Sequence, residues 1–168
     1  LVLKNNKGTE DNRVRKLDYS IQLSKLFYER FIQNGTISLF SPHDVPGLYD
    51  AFGGDTFDEL YTRYESDESI PRSTIDAQEL ILDLLKERAE TGRIYIMNID
   101  HCNTHSSFKD KVYMSNLCQE ITLPTDPIQH IDGGGEIALC ILSAVNVGKL
   151  RNLDEMEELC DLSVRALE

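Results

Sequence analysis

Helical and extended patterns alternate along this chain, and no other feature of the sequence restricts its fold as strongly. From Ser73, apolar side chains recur at helical spacing until Gly92. Arg93 to Ile99 (RIYIMNI) follows at once and is apolar on both faces, as in a strand that is covered by a layer on each side. Helices and strands that alternate in this way predict an α/β fold.

The same patterns predict the remaining elements. Strands are expected at residues 1–4, 36–41, 112–123 and 136–147. Helices are expected after Asp18, after Asp44, over residues 57–64 and from about Asp154 onwards. Residues 100–111 and the stretch around Gly133-Gly134-Gly135 are predicted to be polar loops.

The charge of the chain restricts its partners. Seventeen Lys and Arg against 29 Asp and Glu give a net charge of −12, which repels a phosphate backbone. We therefore expect no nucleic-acid partner. A nucleotide could bind only where local backbone donors or a few cations overcome this field.

The sequence gives no sign of membrane association or secretion. No apolar run approaches the ~20 residues that span a bilayer, and the N-terminus lacks the pattern of a signal peptide. The four cysteines, Cys102, Cys118, Cys140 and Cys160, are therefore expected to be free thiols in a reducing cytoplasm. Because the first residue is leucine rather than methionine, we expect the chain to be a segment of a longer protein.

Residues 114–124 (MSNLCQEITLP) carry the most informative pattern in the chain. On a strand, side chains alternate between faces, so Asn116, Cys118 and Glu120 would project together, with next-nearest side chains roughly 7 Å apart. An amide, a thiol and a carboxylate held in a row on a rigid strand suit a catalytic cleft. The alternation taken alone fits better with a half-buried strand whose polar face meets solvent.

SNLCQEITLP resembles the active-site strand of the large, catalytic subunit of class I ribonucleotide reductases, whose pattern is Asn-Leu-Cys-x-Glu followed shortly by Pro. Other segments are similar to the same family in the same order: LKNN at 3–6, FSPHDVPGLYDAF at 40–52, TGRIYI at 91–96, HCNTHS at 101–106, GEIALC at 135–140 and NLDEMEEL at 152–159. A collinear set that spans nearly the whole chain is far more specific than any one motif.

The resemblance implies a role for each residue of the motif. Cys118 would carry a thiyl radical that abstracts the 3′ hydrogen of the substrate ribose, because an S–H bond is weak enough for reversible hydrogen-atom exchange. Glu120 would act as base toward the 3′ hydroxyl, and Asn116 would hold and polarise the ribose hydroxyls. Leu117 and Gln119 would complete the substrate-binding segment.

Cys140 would be one half of a redox pair that reduces the 2′ position and becomes a disulfide in each turnover. Without the resemblance, Cys140 would be interpreted as a small core residue, because on a strand it would lie on the same face as Ala138, Leu142 and Ala144. The family's second redox cysteine has no match in this chain.

The resemblance also implies a context. Residues 1–168 would be a fragment of the catalytic barrel domain, part of a ten-stranded α/β barrel. The substrate would be a ribonucleoside diphosphate, with no cofactor bound directly. A separate metal-containing small subunit would supply the radical, and an external thiol of the thioredoxin or glutaredoxin type would supply electrons. Since half a barrel leaves unpaired strand edges, the fragment would need the remaining segments of the large subunit, an expected homodimer.

Other interpretations remain open. The chain could be a non-catalytic segment that acts only by associating with the missing parts of a split subunit. Cys118 could be the nucleophile of a hydrolase, with a histidine as base and a lowered thiol pKa. His101-Cys102-Asn103-Thr104-His105 holds ligand-like residues, but no second cluster completes a four-ligand site, so no metal is expected.

Overall fold

The computed structural model describes residues 17–168, so the strand expected at residues 1–4 lies outside the described residues. The chain divides after Thr125 into two compact units. Helices and strands are mixed along the first unit, in agreement with the predicted α/β class.

The first unit contains four strands and five helices within residues 17–125. In chain order they are β1 (Tyr19–Leu23), α1 (Lys25–Ile32), β2 (Thr36–Phe40), α2 (Leu48–Ala51), α3 (Phe57–Ser66), β3 (Arg72–Asp76), α4 (Ala77–Thr91), β4 (Ile94–Asn98) and α5 (Ile99–Thr104).

The four strands form two separate pairs. β1 and β4 are parallel, with Tyr19 opposite Ile94, whereas β2 and β3 are antiparallel, with Thr36 opposite Asp76. Within residues 17–168 these pairs do not close into a barrel. The parallel pair is nonetheless the arrangement in which the carboxyl ends of two strands reach the same edge of a sheet.

Side-chain caps fix the starts of the two helices that flank the parallel pair. The Ser24 hydroxyl accepts a hydrogen bond from the Phe27 amide at 3.3 Å and starts α1. The Asp76 carboxylate accepts from the amides of Gln78 and Glu79 at 2.8 and 3.0 Å and starts α4. Gly92, with φ +69°, ends α4 in a left-handed conformation just before β4.

Three small apolar clusters hold the first unit together. One joins β1, α1 and α4, the second joins α1 and α3, and the third lies beneath α5. Their buried members are Leu23, Phe27 and Ala77; Leu26, Phe57 and Tyr61; and Met97, Ile99 and Val112. The first and third clusters therefore tie α1, α4 and α5 to the parallel pair, and the second ties α3 to α1.

The second unit is dominated by α6 (Leu153–Leu167), which follows a single 3₁₀ turn at Val147–Lys149. The Asn152 side chain accepts from the Glu155 amide at 2.9 Å and starts α6, close to the predicted position. The strand predicted at 136–147 is wrong. Among residues 126–168, strand pairing is limited to a bridge between Asp126 and Glu136, because no neighbouring backbone in the unit supplies a ladder.

The structure confirms most of the remaining elements and corrects some of their starts. β2, α3, β4 and α6 lie where they were predicted. The helix expected after Asp18 begins only at Lys25, because residues 19–23 pair with β4 as β1. The helix expected from Ser73 begins at Ala77, because residues 72–76 pair with β2 as β3. Among the described residues, no helix is both long enough and apolar enough to cross a membrane.

Candidate active site

The candidate site lies where β4 runs into α5. β4 ends at Asn98 and α5 begins at Ile99, which is fully buried with Met97 and Val112. Ligands of parallel α/β sheets bind beyond the carboxyl ends of the strands, so this edge is where a site is expected. The predicted polar loop at 100–111 is therefore partly a short helix, anchored by Ile99.

Asn103 of α5 connects three segments at this edge. Its amide nitrogen donates to the carbonyl oxygens of Gly53, Ile99 and Val112 at 3.1, 3.2 and 3.0 Å. Its side-chain oxygen accepts from the Val112 amide at 2.8 Å. Asn103 thus fixes the point at which the chain enters the segment that carries Cys118, a role that the sequence did not reveal.

The strand predicted at 112–123 is wrong. The Asn116 side-chain oxygen accepts from the Ile121 amide at 3.0 Å, and the Ser115 hydroxyl donates to the Ile121 carbonyl at 2.6 Å. Gln119 lies in the left-handed region with φ +69°. These local bonds close a turn at 117–119 and take the place of a strand ladder, as polar side chains of this type can do.

The turn directs three successive side chains to different surroundings. The exposed Cys118 lies near the Tyr95 hydroxyl of β4, and the neighbouring thiol raises the pKa of Tyr95 above its usual range. Gln119 and Glu120 line two different clefts. The expected common face of Asn116, Cys118 and Glu120 is therefore not present, because the left-handed residue between the thiol and the carboxylate breaks the alternation.

Two clefts adjoin at α5, and we name each after its residue from the turn. The Gln119 cleft has a volume of about 460 Å³ and is lined by Ile96, Met97, Asn98, His101, Cys102, His105 and Gln119. The Glu120 cleft has a volume of about 390 Å³ and is lined by residues of 101–108 and 120–123, with Glu120 as its carboxylate. Both volumes lie within the range of small-molecule sites.

Both clefts are lined by two histidines and a thiol: His101 and Cys102 of α5, and His105, which directly follows it. The rings of His101 and His105 meet edge to face at 5.6 Å. Burial raises the pKa of the Cys102 thiol, which keeps it protonated at neutral pH. Among the described residues, no three His, Cys, Asp or Glu side chains form a group that could hold a metal ion.

The hydrolase interpretation lacks its base. A nucleophilic cysteine needs a histidine within hydrogen-bond reach. The Cys118 thiol instead lies near the Tyr95 hydroxyl, and the His105 ring contacts the Thr104 hydroxyl at 3.0 Å and the His101 carbonyl at 3.1 Å. The tyrosine partner was not predicted, because Tyr95 lies within a strand that reads as uniformly apolar.

The second unit holds the other two exposed cysteines. Cys140 is exposed in a segment without regular secondary structure, and Cys160 is exposed on α6. Cys140 is therefore not the small core residue that its parity with Ala138 would suggest.

Acidic groups surround the start of α3 on the first unit. Burial raises the pKa of Asp58, and the nearby carboxylates of Asp100 and Glu29 raise it further against the lowering effect of Lys25. A carboxyl whose folded-state pKa is raised stabilises the fold below its unfolded pKa and loses that contribution as the pH rises.

We therefore expect Asp58→Asn to be more stable than the unmodified chain at pH 7, by less than about 1 kcal/mol because the site is partly solvated. The gain should vanish near pH 3, below both pKa values. Urea unfolding followed by far-ultraviolet circular dichroism measures it. Asp55→Asn, at an exposed position three residues earlier, is the matched control, and an equal gain there would contradict the assignment to Asp58.

The fold and the site define a class: an α/β protein with an exposed cysteine on a turn beside the carboxyl end of a parallel strand. The family model for the ribonucleotide reductase barrel domain matches residues 1–168. The chain belongs to this family.

Relatives from bacteria and a phage are similar along the chain. It is 60% identical over 174 residues to the ribonucleoside-diphosphate reductase subunit alpha of Haemophilus influenzae, which covers all of this chain and 23% of that protein. It is 57% identical over 133 residues to the ribonucleoside-diphosphate reductase 1 subunit alpha of Escherichia coli, covering 76% of this chain and 18% of that protein. It is 44% identical over 176 residues to the subunit alpha of Enterobacteria phage T4, covering all of this chain and 23% of that protein. This chain thus spans less than a quarter of the length of these relatives.

Proposed function

We propose that this chain forms the thiol-bearing part of a ribonucleoside-diphosphate reductase, which reduces ribonucleotides to deoxyribonucleotides through a thiyl radical on Cys118. The observation that carries the proposal is the family match over residues 1–168, which includes the Asn-Leu-Cys-x-Glu pattern at 116–120. The relatives named reductases share this region at up to 60% identity.

The geometry of the first unit supports a division of roles. Cys118 is exposed, as a thiol that exchanges a hydrogen atom with substrate needs to be. Glu120 lines a cleft of about 390 Å³ and would take the proton of the 3′ hydroxyl there. Asn116 uses its side-chain oxygen within the turn, so its amide nitrogen is the group that would hold a ribose hydroxyl. Leu117, exposed between them, would complete the substrate contact.

The redox step needs groups beyond the first unit. We propose that the exposed Cys140 is one half of the pair that reduces the 2′ position, with its partner thiol outside this chain. A metal-containing small subunit would supply the radical, and a thiol reductant of the thioredoxin or glutaredoxin type would reopen the disulfide. The remaining segments would complete a ten-stranded barrel in a homodimeric, cytoplasmic large subunit.

A chimaeric subunit tests this function. This chain replaces the matching 23% of the Haemophilus influenzae alpha subunit, and the product is assayed with the small subunit of that organism for reduction of cytidine diphosphate. We expect turnover in the chimaera and a loss of at least about 10⁴-fold in the Cys118→Ser variant, because a hydroxyl cannot replace the weak S–H bond.

Cys160→Ser is the matched control, because Cys160 is also exposed but lies on α6, outside the proposed machinery. It should retain turnover. Full turnover in Cys118→Ser would exclude the radical role of this residue. A chimaera that assembles with the small subunit but reduces nothing would instead favour a non-catalytic, purely associative segment.

A further inference from the structure

Asn34 and Gly35 form the only Asn-Gly pair in the sequence, and they follow the last turn of α1. In such a pair the backbone nitrogen of the glycine can attack the side-chain carbonyl carbon of the asparagine, because glycine has no Cβ to hinder the approach. The attack expels ammonia and leaves a cyclic succinimide, which water opens to aspartate or isoaspartate. Asn34 is exposed to the water that this reaction needs.

The end of α1 engages the nitrogen that would attack. The Gly35 amide donates to the Arg30 carbonyl at 2.8 Å, and the Asn34 amide donates to the Phe31 carbonyl at 3.3 Å. These two bonds form a left-handed helix cap, in which Asn34 has φ +55°. Asparagine adopts this conformation more readily than most residues, so the cap explains why it stands at this position.

The start of α4 holds the same pair from the other side. The Gly35 carbonyl accepts from the Ala77 amide at 3.0 Å. The Asn34 side-chain oxygen Oδ1 accepts from Gln78 Nε2. The reacting amide of Asn34 is thus anchored to α4, and the peptide that follows it is anchored to α1.

Closure of the succinimide ring requires both anchors to be released. The ring contains the Gly35 nitrogen together with the side-chain and main-chain carbons of Asn34, so the peptide between the two residues must rotate to bring this nitrogen onto Cγ. That rotation takes the Gly35 N–H away from the Arg30 carbonyl. A reaction that needs such an opening proceeds at a rate set by the population of the open state.

The products would not fit back into the cap. Isoaspartate lengthens the main chain by one carbon between α1 and β2, directly before Thr36 pairs with Asp76 of β3. Aspartate adds a negative charge at the C-terminal end of α1, where the helix macrodipole disfavours it. Either product therefore weakens the junction of α1 with β2.

We propose that Asn34 is a deamidation site, which the cap of α1 and the side chain of Gln78 keep unreactive while the first unit is folded. In the first step a bond forms between the Gly35 nitrogen and Asn34 Cγ, and the Cγ–Nδ2 bond breaks. The Nδ2 amide leaves as ammonia with the proton of the Gly35 nitrogen. Water adds to the succinimide in the second step, and no oxidant or reductant takes part. The modification then accumulates in chains that have opened at this junction.

The rate of deamidation in the folded protein tests the inference. The chimaeric subunit is incubated in mildly alkaline buffer and digested with trypsin, and mass spectrometry follows the peptide of residues 31–63, in which Asn34 is the only asparagine. A synthetic peptide of the same sequence gives the rate without the fold. We expect Asn34 to react at least about tenfold more slowly in the folded subunit, the factor that one broken backbone hydrogen bond accounts for.

Two variants on α4 separate the anchor from the helix that carries it. Gln78→Ala removes the donor to Asn34 and should raise the rate in the folded subunit about threefold, as expected for the loss of one exposed hydrogen bond. Lys86→Ala shortens another exposed side chain of the same helix and should leave the rate unchanged.

Each outcome decides the matter. A slow reaction in the folded subunit that Gln78→Ala accelerates and Lys86→Ala does not supports the inference. A folded subunit that reacts as fast as the synthetic peptide overturns it, and so do equal rates in the two variants. Because nucleotide reduction plays no part in the assay, neither result depends on the proposed role of Cys118.

Discussion

Alanine in place of Gly53 should lower the free energy of unfolding of this chain by about 3 kcal/mol or more. Gly53 has φ +75°, and a Cβ added to it would lie 2.4 Å from Ile99 Cγ1 and 3.0 Å from Asn103 Nδ2. Ile99 is fully buried and cannot move aside. The left-handed conformation costs about 1–2 kcal/mol and overpacking adds about 1–3 kcal/mol.

Gly47→Ala separates the two contributions. Gly47 has almost the same φ, +79°, but an added Cβ would have no neighbour within 4 Å. The Gly47→Ala substitution should lower the free energy of unfolding only by the backbone contribution of about 1–2 kcal/mol. Since the chain has no tryptophan, urea unfolding is best followed by far-ultraviolet circular dichroism. Equal losses at the two positions would show that Gly53 does not pack against Ile99 as described.

The Asn103→Ala variant should lose about 3 kcal/mol of unfolding free energy. The asparagine side chain makes four hydrogen bonds to the backbone of three segments, and one of its partners, Val112, is fully buried. Removing the amide leaves the Val112 N–H and carbonyl unsatisfied, and each unsatisfied buried group costs about 1–3 kcal/mol.

Asn103→Asp gives the same prediction a pH dependence. A carboxylate would still accept from Val112 but would face the carbonyl oxygens that Asn103 now donates to, so it should be as destabilising as alanine at pH 7. Protonation restores one donor, and stability should recover as the pH falls below about 5. Asn146→Ala is the control, because Asn146 is exposed and makes no capping bond. An Asn103→Asp variant as stable as the unmodified chain at pH 7 would contradict the hydrogen-bond assignment.

The elements that the sequence predicted are those whose pattern is set locally. α4 has a cap, an apolar stripe and a terminal glycine, and α6 has a cap and a stripe, so both could be read without knowing their neighbours. β1 was read as part of a helix, because its character as a strand comes from pairing with β4, which lies far away along the chain. α5 was missed because its sequence, IDHCNT, favours a helix only weakly.

The family could be predicted from the sequence, but the arrangement of the candidate site could not. The motif at 116–120 pointed to the thiol, the amide and the carboxylate through a resemblance to a family that the comparisons confirm, and the roles of these three residues stay predictions. The alternation rule failed at the same segment, because Asn116 and Ser115 form bonds within the turn and Gln119 reverses the backbone. Tyr95 and Asn103 lack any sequence pattern that would mark them, since each acts through a partner brought close only by folding.

The parallel pairing of β1 with β4 has a consequence for how the chain is made. During vectorial synthesis β1 emerges from the ribosome before β4, and β4 follows only after the antiparallel β2–β3 pair and α4 have been translated. Helices form from local contacts within about a microsecond, whereas a strand pair that closes so long a loop forms late. A nascent chain that stalls before β4 would therefore expose the edge of β1, and a chaperone that shields extended segments would act at that stage.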